Sequence, residues 1–241
     1  MATGAIKWDQ AGDKRYETGV DHGVLYVKQA TSATVPNVTN SVGTYFHGGV
    51  AWNGLTSVSK SPSGAEANDV YADNIKYASL RSAETFGGTI EAYTYPDEFA
   101  ECDGSKAIVD GVFLGQQTRK PFGFCFRTDM GDDGDGSVNV NDKYKIHLIY
   151  NATASPSESS YSTINDSPEA ITFSWELTTI PVSAGANNLP TATITIDSTK
   201  TDATKLAAFE AILYGTDASG STQATEPMLP MPKDVITFFT A

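Results

Sequence analysis

The sequence predicts a mainly β fold: an antiparallel β-sandwich or partial barrel with one packed α-helix and extended N- and C-terminal arms. Three observations predict it. Several stretches alternate apolar and polar residues with period two, as half-buried strands do. Residues 202–214 instead place Ala203, Leu206, Phe209, Ile212 and Leu213 at helical spacing. Gly, Pro, Ser and Asn punctuate the intervals with turn chemistry. With 241 residues, 40% of them hydrophobic, the chain has the length and apolar content of one large β-rich domain. No linker or internal repeat divides it, so residues 1–241 read as a single domain.

The elements follow in order. Residues 1–18 are polar around an isolated Trp8 and read as an arm. A first strand is expected at residues 23–28, then a Ser/Thr/Val/Asn loop over 30–42. Extended segments at 49–60 and 69–82 flank a Pro-Ser-Gly turn within 61–68. In residues 89–95, Ile90, Ala92 and Thr94 face one way and Glu91, Tyr93 and Tyr95 the other, until Pro96 and Asp97 break the pattern. A short acidic helical turn is expected near residues 98–102. Residues 122–127 align Phe122, Phe124 and Phe126; residues 144–151 align Tyr144, Ile146, Leu148 and Tyr150. Residues 171–179 separate Ile171, Phe173, Trp175 and Leu177 from Thr172, Ser174, Glu176 and Thr178. Residues 191–197 alternate around Ala192, Ile194 and Ile196. One apolar and one polar face per strand implies antiparallel pairing. Asp202 is placed to cap the helix and Gly215 to end it. Residues 216–241 contain Pro227, Pro230 and Pro232 ahead of a strand-like DVITFF, and read as a second arm that orders on assembly.

Charge narrows the function classes. Sixteen Lys and Arg against 29 Asp and Glu give a net charge of −13. Such a surface releases no counterions from a polyanion, which argues against a DNA reader or a membrane-surface binder. It is compatible with a protein that lets DNA pass without gripping it. The first 25 residues lack a basic start followed by an apolar run, so no secretory signal is expected. No apolar run approaches the roughly 20 residues of a membrane span. Synthesis and folding in a cytoplasm follow, with Cys102 and Cys125 as free thiols, Cys125 buried on a strand.

Few residues point to chemistry. In GDDGDGSVNVND, residues 131–142, Asp133, Asp135, Gly136, Val138 and Asp142 fit positions three, five, six, eight and twelve of a calcium loop. Position one is Gly131, which offers no ligand, and strands rather than helices bracket the loop. A solvated acidic hairpin explains the same residues through turn geometry. His22, His47 and His147 are scattered, and no G-x-S-x-G elbow is present, so a structural role is expected for each histidine. Asp97/Glu98 and Asp132/Asp133 are loop acids that a glycosidase would need to bring together across a cleft. The basic pairs Lys14-Arg15 and Arg119-Lys120 are too short for a nucleic-acid patch and suit ion pairs between subunits. Tyr71, Tyr77, Tyr93 and Tyr95 read either as a sugar-stacking platform or as cross-strand packing.

The most distinctive segment, residues 64–104, is polar, aromatic and strand-rich, with no histidine and one cysteine. Its core, VYADNIKYASLRSAETFGGTIEAYTYPDEFAECDG at 70–104, resembles the major tail proteins, or tail tube proteins, of long-tailed bacteriophages. So do KRYETGVDHGVLYV (14–27), GVAWNGLTSVSKSPSGAE (49–66), LAAFEAILYGTD (206–217) and EPMLPMPKDVITFF (226–239), in the family's order. The resemblance implies a β-sandwich with one helix that assembles into hexameric rings. Inner strands of each copy would join a continuous barrel, and stacked rings would form the virion's hollow tail tube. Genomic DNA would pass through without specific binding. The implied partners are further copies, the tape-measure protein and the tail terminator and tip proteins. No catalytic residue, cofactor or membrane is implied, and assembly would take place in the host bacterial cytoplasm. Strand edges would complete their hydrogen bonding with sister copies. Thr172, Ser174, Glu176 and Thr178 are the expected lumen-facing residues, with an outer solvated face as the other reading. A β-sandwich module binding carbohydrate or calcium, secreted or carried on a virion, is the alternative function.

Overall fold

The alternating stretches come together as one antiparallel sheet in a computed structural model of the chain, which describes residues 8, 15–64, 66–131, 143–157, 160, 161, 163, 170–219 and 223–241. The order begins with β1 (Tyr16–Ala33), β2 (Thr44–Phe46), β3 (Val50–Trp52) and β4 (Leu55–Lys60). Then β5 (Ser63–Gly64) opens a stalk that β8 (Glu84–Thr85) closes, and the stalk carries a hairpin of β6 (Ala67–Ala72) and β7 (Ile75–Arg81). Strand β9 (Gly87–Ala92) re-enters the sheet. A 3-10 turn at Asp97–Phe99 runs into α1 (Ala100–Asp103), as the acidic turn in the sequence anticipates. A second hairpin follows, β10 (Lys106–Val109) and β11 (Val112–Leu114). The remaining strands are β12 (Phe122–Gly131), β13 (Tyr144–Ala154), β14 (Phe173–Thr179) and β15 (Thr193–Asp197), followed by α2 (Ala203–Tyr214) and α3 (Pro232–Thr240).

The main sheet runs β2-β1-β12-β13-β14-β9-β4, with β15 paired to β13 and β3 paired to β1. Strands β3 and β4 are separated only by Asn53 and Gly54, yet β3 bonds to β1 while β4 bonds to β9. This bent pair closes the sheet on itself within one chain. Much of the pairing expected from sister copies is thus made within the chain, while β2 and β4 at the ends of the sheet path keep one strand partner each. Among the described residues, strands with a single strand partner include β15, β2, β3, β4 and those of the hairpins and stalk.

Two cores lie on the two sides of the sheet. The interior of the curl holds Leu25, Val27, Trp52, Ile90, Phe99, Phe122, Phe124, Phe126, Trp175 and Leu177. The outer side of β1, β12 and β13 holds Val24, Tyr26, Cys125, Ile146, Leu148 and Tyr150 against Phe209, Leu213, Leu229 and Val235. Each fully buried aliphatic or aromatic side chain contributes about 1.5–3 kcal/mol, so the helical layer adds a second core comparable in kind to the first. These three strands are thus buried on both faces, against the one-sided burial read from the alternation; β14 keeps the expected pattern.

Helix α2 forms as read. The Asp202 carboxylate accepts from the backbone N–H groups of Thr204 and Lys205, both at 3.0 Å, which satisfies two donors that the helix cannot. Gly215 ends it at φ +74°, where a Cβ would meet the Thr225 carbonyl at 2.6 Å. The C-terminal segment departs from the expectation. DVITFF is helical in α3, not a strand: Pro232 takes the first turn, where its missing N–H costs nothing, and Asp234 sits at the positive end of the helix dipole. Asp234 is buried and accepts from Ser41 Oγ at 2.7 Å and Val42 N at 3.0 Å, which ties α3 to the loop before β2. Leu229 N–H donates to the Phe46 carbonyl at 2.8 Å, and the Leu229 carbonyl accepts from Thr44 Oγ1 at 2.6 Å. Residues 226–240 are therefore part of the folded body rather than a free arm. At the other end β1 already begins at Tyr16, so the arm read over 1–18 loses its last three residues to the sheet, where Tyr16, Glu17 and Thr18 pair with Gly131, Met130 and Asp129.

Candidate assembly surface

The polar faces of β14, β9 and β4 lie side by side. Ser174 pairs with Glu91, Glu176 with Thr89, and Thr178 with Gly87; Ser57 pairs with Glu91 and Ser59 with Thr89. Paired residues in an antiparallel sheet share a face. Ser57, Ser59, Thr89, Glu91, Ser174, Glu176 and Thr178 therefore form one strip of hydroxyls with two carboxylates. Ser57 Oγ donates to Glu91 Oε2 at 2.8 Å, and the backs of the same strands bury Ile90, Trp175 and Leu177. Glu176 and Thr178 are exposed and Ser174 is half-buried; Thr172 lies just before β14 and is exposed. Lys60, the single basic residue of these three strands, belongs to the opposite face by register. The strip can repel phosphate over about 8–10 Å of screened range and offers no basic group to hold it.

The two hairpins carry the second unusual surface. The pairs Val70 with Ala78, Ala72 with Ile75 and Asn68 with Leu80 put Val70, Ala72, Ile75, Ala78 and Leu80 on one face together with Asn68. Ile75 is 64% exposed and Leu80 59%, and neither belongs to a core cluster. The other face carries Asp69, Ser79, Lys76 and the exposed Tyr71, with Lys76 Nζ 2.7 Å from Asp69 Oδ1. In the β10–β11 hairpin Ile108, Val109, Val112, Phe113 and Leu114 are all exposed. A lone two-stranded hairpin is marginal in water, and contiguous exposed apolar faces of this kind mark interaction sites. The sequence reading missed both hairpins. Their signals are Asp73-Asn74, both at positive φ, and Asp110-Gly111 with Gly111 at φ +82°; such dipeptides between apolar runs specify tight hairpin turns.

The other sequence-derived candidates fall elsewhere. Asp133, Asp135 and Asp142 lie outside the described residues, as does Asp132. Among the described residues no three His, Cys, Asp or Glu side chains are grouped to hold a metal ion. His22 Nδ1 lies 3.0 Å from Asp21, and His47 bonds to Glu226 and the Thr31 carbonyl. His147 is buried among Lys60, Thr128 and Thr195. Burial, and then the Lys60 ammonium, push its pKa down to about 4, so the ring is neutral at pH 7. Cys102 and Cys125 are buried free thiols, and burial pushes each up to about 12. Tyr95 packs edge-on against Phe99, Phe173 and Trp175, while no ring contact among the described residues joins it or Tyr93 to Tyr71 or Tyr77. The pair Arg119-Lys120 is used inside the chain, against the expectation of intersubunit pairing. Arg119 donates to the carbonyls of Asp103 and Ala154, and Lys120 pairs with Glu101 at 2.6 Å. Among the described residues no helix is long and apolar enough to cross a membrane. No family model matches the chain, and no curated protein matches it.

Proposed function

We propose that the chain is a structural subunit of a phage tail tube, which self-associates into rings that stack around a channel for DNA. The observation that carries this reading is the pair of projecting hairpins, whose apolar residues are uncovered although the body holds two complete cores. A monomer gains nothing from leaving Ile75, Leu80, Val109 and Phe113 in water, whereas a neighbouring copy would bury them. The resemblance of residues 14–27, 49–66, 70–104, 206–217 and 226–239 to tail tube proteins supplies the identity of the assembly. It also supplies the hexameric ring, the tape-measure, terminator and tip proteins as partners, and the virion tail as the location.

Because the bent β3–β4 pair links β1 to β9 within the chain, the hairpins and single-partner strands such as β15, β2 and β4 are the edges on offer to a neighbouring copy. The acidic, hydroxyl-lined strip of Glu91, Ser174, Glu176 and Thr178 is the wall suited to the channel, since it would let DNA slide without binding. Sedimentation velocity on the full chain over a range of concentrations tests the reading. Growth from monomer to a discrete ring-sized species and then to polymers is expected; a single monomer boundary at every concentration would overturn it.

A further inference from the structure

The stalk and the β6–β7 hairpin spring directly from Lys60, the last residue of β4. The next residue, Ser61, holds the root by donating its N–H to the Gly87 carbonyl at 2.8 Å. Lys60 is an exposed residue, yet its ammonium turns back to the rim of the curl, 2.6 Å from His147 Nδ1 and 5.6 Å from the centre of the Phe126 ring. His147 is only 5% exposed and stacks on Phe126 with ring centres 4.7 Å apart. Its Nε2 lies 2.9 Å from Thr128 Oγ1, and Thr195 Oγ1 stands 3.2 Å from Nδ1. Thr128 Oγ1 in turn donates to Glu17 Oε2 at 3.5 Å, and Glu17 pairs with Lys145.

These contacts fix the protons. An ammonium can only donate, so Nδ1 must be the bare acceptor and Nε2 must carry the hydrogen toward Thr128. A relay then runs from β4 across β13 and β12 to β1: Lys60, His147, Thr128, Glu17. The charged groups around the ring are Lys60 from β4, Glu17 from β1 and Lys145 from β13 itself; β12 and β15 present only Thr128, Phe126 and Thr195. A proton added at Nδ1 would occupy the position to which Lys60 donates and place two cations in contact. One hydroxyl-mediated carboxylate, already bound by Lys145, does not compensate.

We propose that Lys60 and His147 form an acid-released latch that positions the β6–β7 hairpin relative to the barrel. With His147 neutral, the latch pins the end of β4 and so the root of the stalk. Once His147 is protonated, Lys60 leaves, and the stalk keeps the Ser61–Gly87 backbone bond at its root and its own short pairing of β5 with β8. The sign follows from linkage: a histidine held below its ordinary pKa favours the closed form above that value and loses this contribution as pH falls toward the folded-state value. The latch is a property of the single chain and does not depend on ring formation.

Amide exchange on the full chain, corrected for intrinsic rates and run from pH 7 to pH 4, tests it in the wild type, Lys60→Met and His147→Gln. In the wild type, exchange in β5–β8 is expected to rise about tenfold for each pH unit of proton linkage, while β12 and β13 stay protected. In both variants the pH step in β5–β8 is lost: Lys60→Met leaves no cation to expel, and His147→Gln leaves no ring to titrate. A wild-type step that persists in both variants overturns the proposal. So does a step in which β12 and β13 open together with the hairpin, because that is global unfolding.

Discussion

Ile75→Glu combined with Leu80→Glu is expected to give a folded monomer that no longer assembles. Both residues sit on the uncovered face of the β6–β7 hairpin and touch neither core. Surface changes away from core contacts usually move folding stability by no more than about 0.5 kcal/mol, so circular dichroism and the melting temperature should barely change. Association is different. Burying each side chain against a neighbour contributes about 1.5–3 kcal/mol, and at about 1.4 kcal/mol per tenfold the pair accounts for roughly two to four orders of magnitude in affinity. A carboxylate in the same place adds the cost of desolvating a charge. Sedimentation of the variant beside the wild type reads the result. Unchanged polymer formation would show that this face stays in water in the assembly.

Trp52→Ala is expected to cost about 3–5 kcal/mol of folding stability, the usual toll of emptying a large aromatic site. Trp52 is 2% exposed and sits at the bend that closes the sheet. Its ring lies 4.6 Å from Phe99 and 5.5 Å from both Phe124 and Trp175, and its Nε1–H donates to the Thr94 carbonyl at 2.9 Å. Truncation therefore opens a cavity among three aromatic rings and removes the donor that the Thr94 carbonyl accepts from. Against a typical net stability of about 5–15 kcal/mol, this is a large share, and at about 2–4 °C per kcal/mol for a chain of this size the melting temperature should fall by roughly 10 °C. Trp52→Phe keeps most of the ring and loses the hydrogen bond, so it should cost about 1–2 kcal/mol. A loss below about 1 kcal/mol for the alanine variant would mean that the closure does not depend on this cluster.

Much of the sheet was legible because period-two alternation survives wherever one face is wet. β14 shows this, with Phe173, Trp175 and Leu177 inward and Glu176 and Thr178 outward. The alternation was also right about which residues of β12 and β13 go together, since Phe122, Phe124 and Phe126 share one core and Ile146, Leu148 and Tyr150 the other. It could not show that both faces are covered, because α2 and α3 arrive from distant sequence. The continuous runs Val24–Val27 and 146–150 were the available signal.

The α3 segment was misread because β-branched and aromatic residues suggest a strand. Pro232 at a first turn followed by Asp234, with Val235, Phe238 and Phe239 at spacings of three and four, is the pattern that tertiary packing selected. The candidate surface was only half legible. The polar strip on β14 was read correctly as one face, but its continuation through Glu91 and Ser57 depends on register, which a single strand does not reveal. The apolar hairpin faces are hidden because residues 69–82 read as one extended segment unless Asp73-Asn74 is seen as a turn.

Negative-stain electron microscopy of the purified full chain at high concentration bears most directly on the central claim, that these uncovered hairpins are met by other copies of the same chain. Rings with a central hole, and hollow tubes built from them, are the predicted images. Uniform solitary particles at every concentration, with and without the tail proteins proposed as partners, would contradict it.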